Sequence, residues 1–568
     1  MLSLSKNKHV TVLDVSQSSY AERVCAAVLQ GLVNREQPIL FLDYGIYDDP
    51  QARRTNEVFI DDEDWYGRYR GLLGAQDQRN LAYYQHEYGF TVDQAPGLFE
   101  LVSGHLTGLS GLVIWDETLP DTVNIAVMLA AQEDLLPVSS ALAERLRTLG
   151  LPVKHDLRGR WQDRVSLYRW SFDNLFPACK TGNVACIEPG WQRPEFLDYI
   201  VQNKIFVYSL SSTAGGVGSK LLMLLAFGPP ALREFLFLTR LDGLFRKAVL
   251  AWMGWKNSEV KLANRIQRAV HPLPYPTIFG WHTRRDDELS FMLQLSANGL
   301  RLVPSHLVAN FSFHARVPAH GTRYTPRVTA PALDPHGVYL TFTLSDGDQL
   351  MMMSTGELGS WYVPERGRIP FNWETQPLLV ELAPALLEKY IRSATENDCL
   401  IAGPSGAGYI VPPLAPRLER YMEETSRICA LSGINVVTTY VADPPVRTQN
   451  ILARHSGALL GFLSGYAVVS RAPMHLLQDK ALVANQVPSI TQIWLKADDL
   501  LAAVRQEITR ATSRPRFIGV HLFAYRTTYQ DVVHFVESLA DEHVHLVRAD
   551  EFLLLARQHL QAADNKGE

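Results

Sequence analysis

The stretch Val338-Tyr339-Leu340-Thr341-Phe342-Thr343-Leu344-Ser345-Asp346-Gly347-Asp348 decides how the second half of this chain is read. Thr341 and Thr343 alternate with Leu340, Phe342 and Leu344, the period-two pattern of a β-strand built from β-branched, aromatic and aliphatic residues. A glycine between two aspartates then stops it. If the backbone stays extended, Asp346 and Asp348 project to the same side, about 6–7 Å apart at a ~3.3 Å rise per residue. Carboxylates so placed at a strand end suit general acid/base work or a divalent cation.

The rhythm continues downstream. Further strands are expected at 399–402, 434–440, 459–463, 481–484, 517–522 and 544–547, with helices at 384–395, 417–431, 498–509, 529–539 and 550–560. About seven strands alternating with helices predict a (β/α) barrel, with a doubly wound open sheet as the rival. In both, chemistry belongs at the C-terminal ends of the strands.

Upstream, residues 314–335 hold Pro318, Pro326, Pro331 and Pro335 and read as a linker. Before them an α/β pattern opens the chain: a strand at 9–13, capping residues Ser18-Ser19, a helix with Tyr20, Val24, Val28 and Leu32 on one face, and a buried strand at 39–42. Residues 151–270 are richer in aromatics and less regular. The fold class expected is therefore α/β: an N-terminal α/β region of two or three small domains followed by a C-terminal (β/α) barrel. The divisions fall at 1–150, 151–330 (ending in the Pro-rich linker) and 331–568.

Composition narrows the function classes. The 568 residues are 47% hydrophobic and 20% charged, enough apolar material for large cores and unlike a disordered chain. With 54 basic against 59 acidic residues the net charge is -5, so no nucleic-acid partner is expected. No run reaches the ~18 apolar residues of a membrane span, and the first residues lack a secretory leader's apolar region. No membrane partner and a cytoplasmic location are expected. Five cysteines without CxxC spacing argue against a disulfide framework or zinc knuckle.

A second loop follows the strand expected at 399–402: Gly403-Pro404-Ser405-Gly406-Ala407-Gly408-Tyr409-Ile410-Val411-Pro412-Pro413. Gly406 and Gly408 would let backbone amides approach a ligand, and Tyr409 offers a stacking face and a hydroxyl. Residues 405–412 resemble the signature of the GxGYxYP family of glycoside-hydrolase-like proteins, with Val411 at the signature's last tyrosine. Gln30-Gly31-Leu32-Val33-Asn34-Arg35, Phe279-Gly280-Trp281 with Glu288, and Asn310-Phe311-Ser312 resemble its N-terminal domains. Ser345-Asp346-Gly347-Asp348 and residues 373–384 resemble its C-terminal domain. The resemblance spans nearly the whole chain and implies a sugar-processing hydrolase.

The remaining candidates are residues beside the expected strands. Asn372-Trp373-Glu374 reads as a loop before Pro377, with Trp373 to stack on a sugar and Glu374 as a further carboxylate. Tyr440 and Asp443 close the strand at 434–440, and His521 ends the strand at 517–522. Gly215-Gly216-Val217-Gly218-Ser219-Lys220 lacks the GxxxxGK[ST] order of a phosphate loop, so no nucleotide site is read there.

The expected function is cleavage of a glycosidic bond by Asp346, Asp348 and Glu374, with Ser405, Gly406, Gly408, Tyr409, Trp373, Tyr440 and His521 positioning a carbohydrate or small-molecule substrate. Three alternatives stay open. One is a deacetylase-like amide or ester hydrolase with a divalent metal near Asp346, Asp348 and His521, which the lack of an HxxxH pair disfavours. The others are a tailoring enzyme of small-molecule biosynthesis and a non-catalytic carbohydrate- or metabolite-binding protein. No cofactor is expected.

Overall fold

The computed structural model describes residues 8–45, 78–212, 216–272, 274–329, 331–345, 349–354, 361–465, 474–487, 497–510, 514–524, 527–539 and 542–567. Three small parallel sheets precede the barrel. Strands β1 (His9–Asp14), β2 (Leu40–Asp43) and β3 (Thr91–Gln94) form the first, in the order β2-β1-β3. Strands β4 (Gly111–Ile114), β5 (Leu135–Val138) and β6 (Val153–Asp156) form the second, in the order β5-β4-β6. The third joins β7 (Asn183–Cys186), β8 (Phe206–Tyr208), β9 (Thr277–Gly280) and β10 (Arg301–Pro304) in the order β10-β9-β7-β8. The stretch that reads as irregular, 151–270, therefore contains β6, β7, β8 and several helices.

Local chemistry starts these elements. Ser19 caps the helix Tyr20–Val33: its hydroxyl accepts from the Glu22 N–H, and the Glu22 carboxylate accepts the Ser19 N–H at 3.0 Å. The same helix runs so close to the helix Leu197–Asn203 that a Cβ at Gly31 would lie 2.2 Å from the Asp198 carbonyl oxygen. Buried amides tie the contact. The Gln30 side chain donates to Asn310 at 2.6 Å, Asn34 donates to the Leu40 carbonyl at 2.8 Å, and Gln202 donates to the Asn34 and Ser312 carbonyls. The Ser312 N–H donates to the Asp198 carboxylate at 2.7 Å, and dehydration pushes the Asp198 pKa up to about 7. The motif residues of 30–35 and 310–312 thus build a polar knot between sheets.

Seven parallel strands then close a barrel: β11 (Val338–Ser345), β12 (Phe371–Thr375), β13 (Asp398–Ala402), β14 (Val436–Thr439), β15 (Gly461–Ser464), β17 (Lys480–Val487) and β18 (Arg516–Phe523). Strand β16 (His475–Leu477) is an antiparallel appendage on β17. The (β/α) barrel expected from the sequence is present, with two corrections to its staves. Residues 371–375 are a strand, not a loop. The segment expected as the last stave, β19 (Val544–Leu546), is not in the ring; it pairs only with the first half of β11.

That arrangement shows how the ring closes. β11 pairs with β18 along its whole length, but it meets β12 only at Thr343↔Asn372 and Leu344↔Trp373. Below those two pairs the edges part, and β19 fills the gap. The Asn372 side chain bridges the split: its amide donates to the Thr341 hydroxyl and the Phe342 carbonyl, each at 2.8 Å, and its oxygen accepts the Ala549 N–H at 2.6 Å.

The strands alternate between two environments. Leu340, Phe342, Leu344, Leu400, Val437, Phe462, Ile518 and Val520 face the surrounding helices and join the main core. Tyr339, Cys399, Ile401, Val436, Leu463, Val483 and Phe517 form a separate apolar layer with Phe552, Leu553 and Leu555. Those last three belong to the helix Ala549–Gly567, which seals the N-terminal end of the barrel.

Replacing Asn372 by Leu, of similar volume, would leave the Ala549 N–H and two buried threonine hydroxyls without their partner. A stability loss of about 2–4 kcal/mol is expected. Urea unfolding of the variant measures it; a loss under about 0.5 kcal/mol would mean that the ring closes without this bridge.

Candidate functional site

The upper half of the barrel interior is polar, in contrast to the apolar layer below. The inward parity that starts at Tyr339 and Phe517 continues as Thr341, Thr343 and Ser345 on β11, and as Gly519 and His521 on β18. Asn372 and Glu374 of β12, Thr438 of β14 and Asn485 of β17 complete the lining, all buried. Gly519 admits the Asn485 side chain, since a Cβ there would lie 2.5 Å from its Oδ1. Gly403 lies between Glu374 and Thr438 in the same way, its Cβ position 2.5 Å and 2.7 Å from their oxygens.

Glu374 is the centre of this layer, 1% exposed. Its Oε2 accepts hydrogen bonds from the Ser345 hydroxyl and from the Gln349 side-chain amide, the latter at 3.1 Å. Its Oε1 lies 3.8 Å from His521 Nε2. Oε1 itself, Thr438 Oγ1 and both polar atoms of the Asn485 side chain make no hydrogen bond within the protein among the described residues. Leaving buried polar groups unsatisfied costs roughly 1–3 kcal/mol each, so several together are characteristic of a place that meets a polar ligand or water.

The glycine loop does something other than the sequence suggests. Four of its amides are bonded within the protein: the Ala407 N–H donates to Thr425 Oγ1, the Gly408 N–H to the Gly406 carbonyl, the Tyr409 N–H to the Leu302 carbonyl and the Val411 N–H to Ser296 Oγ. Gly406 (φ +127°) and Gly408 (φ +97°) lie in the region that favours glycine, and Cβ atoms there would strike Thr425 and Arg301. The Arg301 guanidinium donates to the Ala407 carbonyl at 3.0 Å. The loop therefore clasps β10, the edge strand of the third sheet, to the barrel.

Within the clasp, Tyr409 donates its hydroxyl to Glu288 Oε1 at 2.9 Å, and its ring packs 5.4 Å from that of Tyr440. The Tyr440 phenol also hydrogen-bonds to Tyr409, and burial pushes its pKa up. A chain of three titratable groups thus runs from the helix Glu288–Asn298 to the rim of the barrel. Loss of water around Glu288 raises its pKa to about 7, against the opposing pull of the Tyr409 hydroxyl.

The expected site residues are distributed as follows. Glu374 and His521 come together inside the barrel. Ser405 is buried in the clasp, donating to the Ile410 carbonyl and accepting the Tyr440 N–H, each at 3.0 Å. Trp373 is corrected: on a strand it faces opposite to Glu374, stacks on Tyr529 and donates to Asp398 Oδ1 at 2.8 Å, so it is core and not a sugar platform. Asp443 lies 3.6 Å from Arg233, at the surface. Asp346 and Asp348 lie outside the described residues. Among the described residues no three His, Cys, Asp or Glu side chains gather as metal ligands. Gln349, Thr438 and Asn485 join the site without any motif in the sequence to mark them. Inward parity is the signal that would have found Thr438 and Asn485.

Comparison with known proteins follows this anatomy. Residues 336–557 match the family model described as "GxGYxYP putative glycoside hydrolase C-terminal domain". Residues 109–179 match the family's second N-terminal domain, and 183–316 its third domain. No curated protein matches the sequence. A crystal structure described as a putative hydrolase from Bacteroides thetaiotaomicron superposes with a TM-score of 0.73 at 18% identity, covering 98% of this chain and 95% of that one. At that identity the likeness is one of fold.

Glu288 makes a pH prediction. Its carboxyl holds its proton to about pH 7 when folded, against 4.5 as the ordinary value, so the folded state binds more protons between those limits. Its contribution to stability is complete below about pH 4.5 and is lost as pH rises through about 7. Glu288→Gln keeps an acceptor for Tyr409 but cannot ionise. Melting temperatures from pH 4.5 to 7.5 should fall less steeply in the variant than in the wild type; parallel curves would show that Glu288 ionises freely in place.

Proposed function

We propose that this chain, which belongs to the GxGYxYP family, is a hydrolase that cleaves a glycosidic bond at the upper mouth of its C-terminal barrel. The observation that carries the reading is Glu374, buried at the C-terminal end of a barrel strand, with one oxygen fixed by Ser345 and Gln349 and the other turned toward His521. A carboxyl group held in this way exchanges a proton with a substrate in a fixed direction, which is what departure of a glycosidic oxygen requires. The family description and the fold likeness to a hydrolase support the same class.

In this reading Glu374 is one member of the carboxylate pair, and Asp346 or Asp348, which stand between Ser345 and Gln349 in the sequence, supplies the other. Thr438 and Asn485 offer hydroxyl and amide groups to sugar hydroxyls. Tyr440 stands at the rim, and His521 orients or exchanges protons with Glu374. The substrate class is a carbohydrate or a glycosylated small molecule. The rival, an amide or ester hydrolase with a divalent metal between Asp346, Asp348 and His521, rests on the inward placement of His521 alone.

A panel of aryl glycosides and acetylated substrates tests the proposal. On the substrate that turns over, Glu374→Gln should lower kcat by about 10²–10⁴ while the thermal transition stays near wild type, because Gln keeps the acceptor for Ser345 and Gln349. Near-wild-type turnover in this variant would remove Glu374 from the mechanism. Activity on acetylated substrates alone, abolished by a chelator, would favour the metal-dependent rival.

A further inference from the structure

Between β8 and β9 the third sheet carries a group of helices whose outer surface is unlike the rest of the chain. The helix Pro230–Leu238 buries Arg233 and Phe237 but exposes Leu232, Phe235 and Leu238, a one-sided stripe at helical spacing. The helix Asp242–Lys256 buries Val249, Leu250 and Met253, while Leu244, Trp252 and Trp255 lie outward. Leu238, Leu241 and Leu244 bracket the turn between the two helices and are 73%, 40% and 65% exposed. Trp255, at 75%, is the most exposed of the large apolar residues here. Apolar surface gathered on this scale marks an interaction site.

The charges show what it meets. Every carboxylate of residues 217–269 is turned inward or engaged: Glu234 accepts the Val446 N–H at 2.9 Å, Asp242 lies 3.6 Å from Arg447, and Glu259 accepts the Ser211 N–H at 2.8 Å. Two cations of this stretch, Arg233 and Arg246, are buried, while Lys220, Arg240, Lys247, Lys256, Lys261 and Arg268 are exposed. A chain of net charge -5 thus carries exposed cations on the same helices that expose leucine and tryptophan, with Lys256 Nζ 4.3 Å from the centre of the Trp255 ring. Beside Trp255 a cavity of about 680 Å³ runs between Leu250, Ala251 and Gly254 on one side and Lys261 and Arg265 on the other. Arg265 is paired with Asp173 at 3.0 Å, so Lys261 is the cation this apolar-walled cavity offers to an anionic headgroup.

We infer that the helices of residues 217–269 dock on the surface of an anionic lipid bilayer. They lie on it and do not cross it. The helices Val217–Phe227 and Pro230–Leu238 together have the composition of a span, but they are bent by 86° at their break. Each is far shorter than the ~20 residues needed to cross. Their inner faces pack on the protein, leaving only the outer stripe to enter the interface, as an amphipathic surface helix does. The inference runs against the sequence expectation of no membrane partner.

Co-sedimentation of the full chain with vesicles tests the assignment. Vesicles of phosphatidylcholine with phosphatidylglycerol should pull down the protein at low salt, vesicles of phosphatidylcholine alone should not, and binding should weaken as salt rises. Leu238→Glu with Leu244→Glu, both on exposed positions, should abolish binding with an unchanged melting temperature. Lys247→Glu and Lys256→Glu should each weaken it roughly fivefold or more, following the ~1 kcal/mol typical of one cation near such a surface. No binding to anionic vesicles, or equal binding by the leucine variants, overturns the inference. So does a dimer in light scattering that the leucine substitutions dissociate, since the face would then belong to a second copy.

Discussion

The barrel depends on a two-residue contact. Strands β11 and β12 share only the pairs Thr343↔Asn372 and Leu344↔Trp373, and the Asn372 side chain reaches across where the backbone ladder stops. Seven staves are held in a ring by that short seam, with β19 filling the opening below it. The seam also sets the site. β12 is fixed at its upper end, so Glu374, two residues beyond Asn372, is level with Ser345 and within reach of Gln349 and His521. Closure and acid/base geometry come from one strand register.

The family signature has a different role from the one its glycines suggest. Gly406 and Gly408 bring the backbone against Thr425 and Arg301, and Tyr409 reaches Glu288 in another domain. The earlier motif residues Gln30, Asn34, Asn310 and Ser312 do the same for the N-terminal sheets. These short polar motifs lie where domains meet and supply partners to buried backbone and side-chain groups. The Glu288–Tyr409–Tyr440 chain links one such junction to the rim of the barrel by hydrogen bonds.

How much of this was legible depends on the range over which each residue's partner lies. β11 and β13 are largely apolar runs ended by Asp-Gly and Gly-Pro, and β18 shows Phe517, Ile518, Val520 and Leu522 in one stretch, so local pattern suffices to find them. β12 escapes because Asn372 and Glu374 face a polar barrel interior and Pro370 and Pro377 flank the strand, so Phe371-Asn372-Trp373-Glu374-Thr375 imitates a loop. β19 misleads in the opposite sense: Val544-His545-Leu546 alternates as a stave does, yet the opening it enters is made by residues far away in sequence. The positive φ values of Gly406 and Gly408 follow from their type, but that Arg301 and Thr425 occupy the space beside them does not. The type of Trp373 suggests a sugar platform, but strand parity decides its direction.

The split ring also has a consequence for synthesis. β11 is the first stave to leave the ribosome, and it pairs from end to end with Arg516–Phe523, the last of the seven staves to be made. The apolar layer at the foot of the barrel is sealed later still, by Phe552 and Leu553. Until then Val338-Tyr339-Leu340-Thr341-Phe342-Thr343-Leu344 is an uncharged strand with an open edge, the kind of segment that pairs with its own copies. The N-terminal sheets can assemble while the barrel waits, and a chaperone that shields β11 would act in that interval.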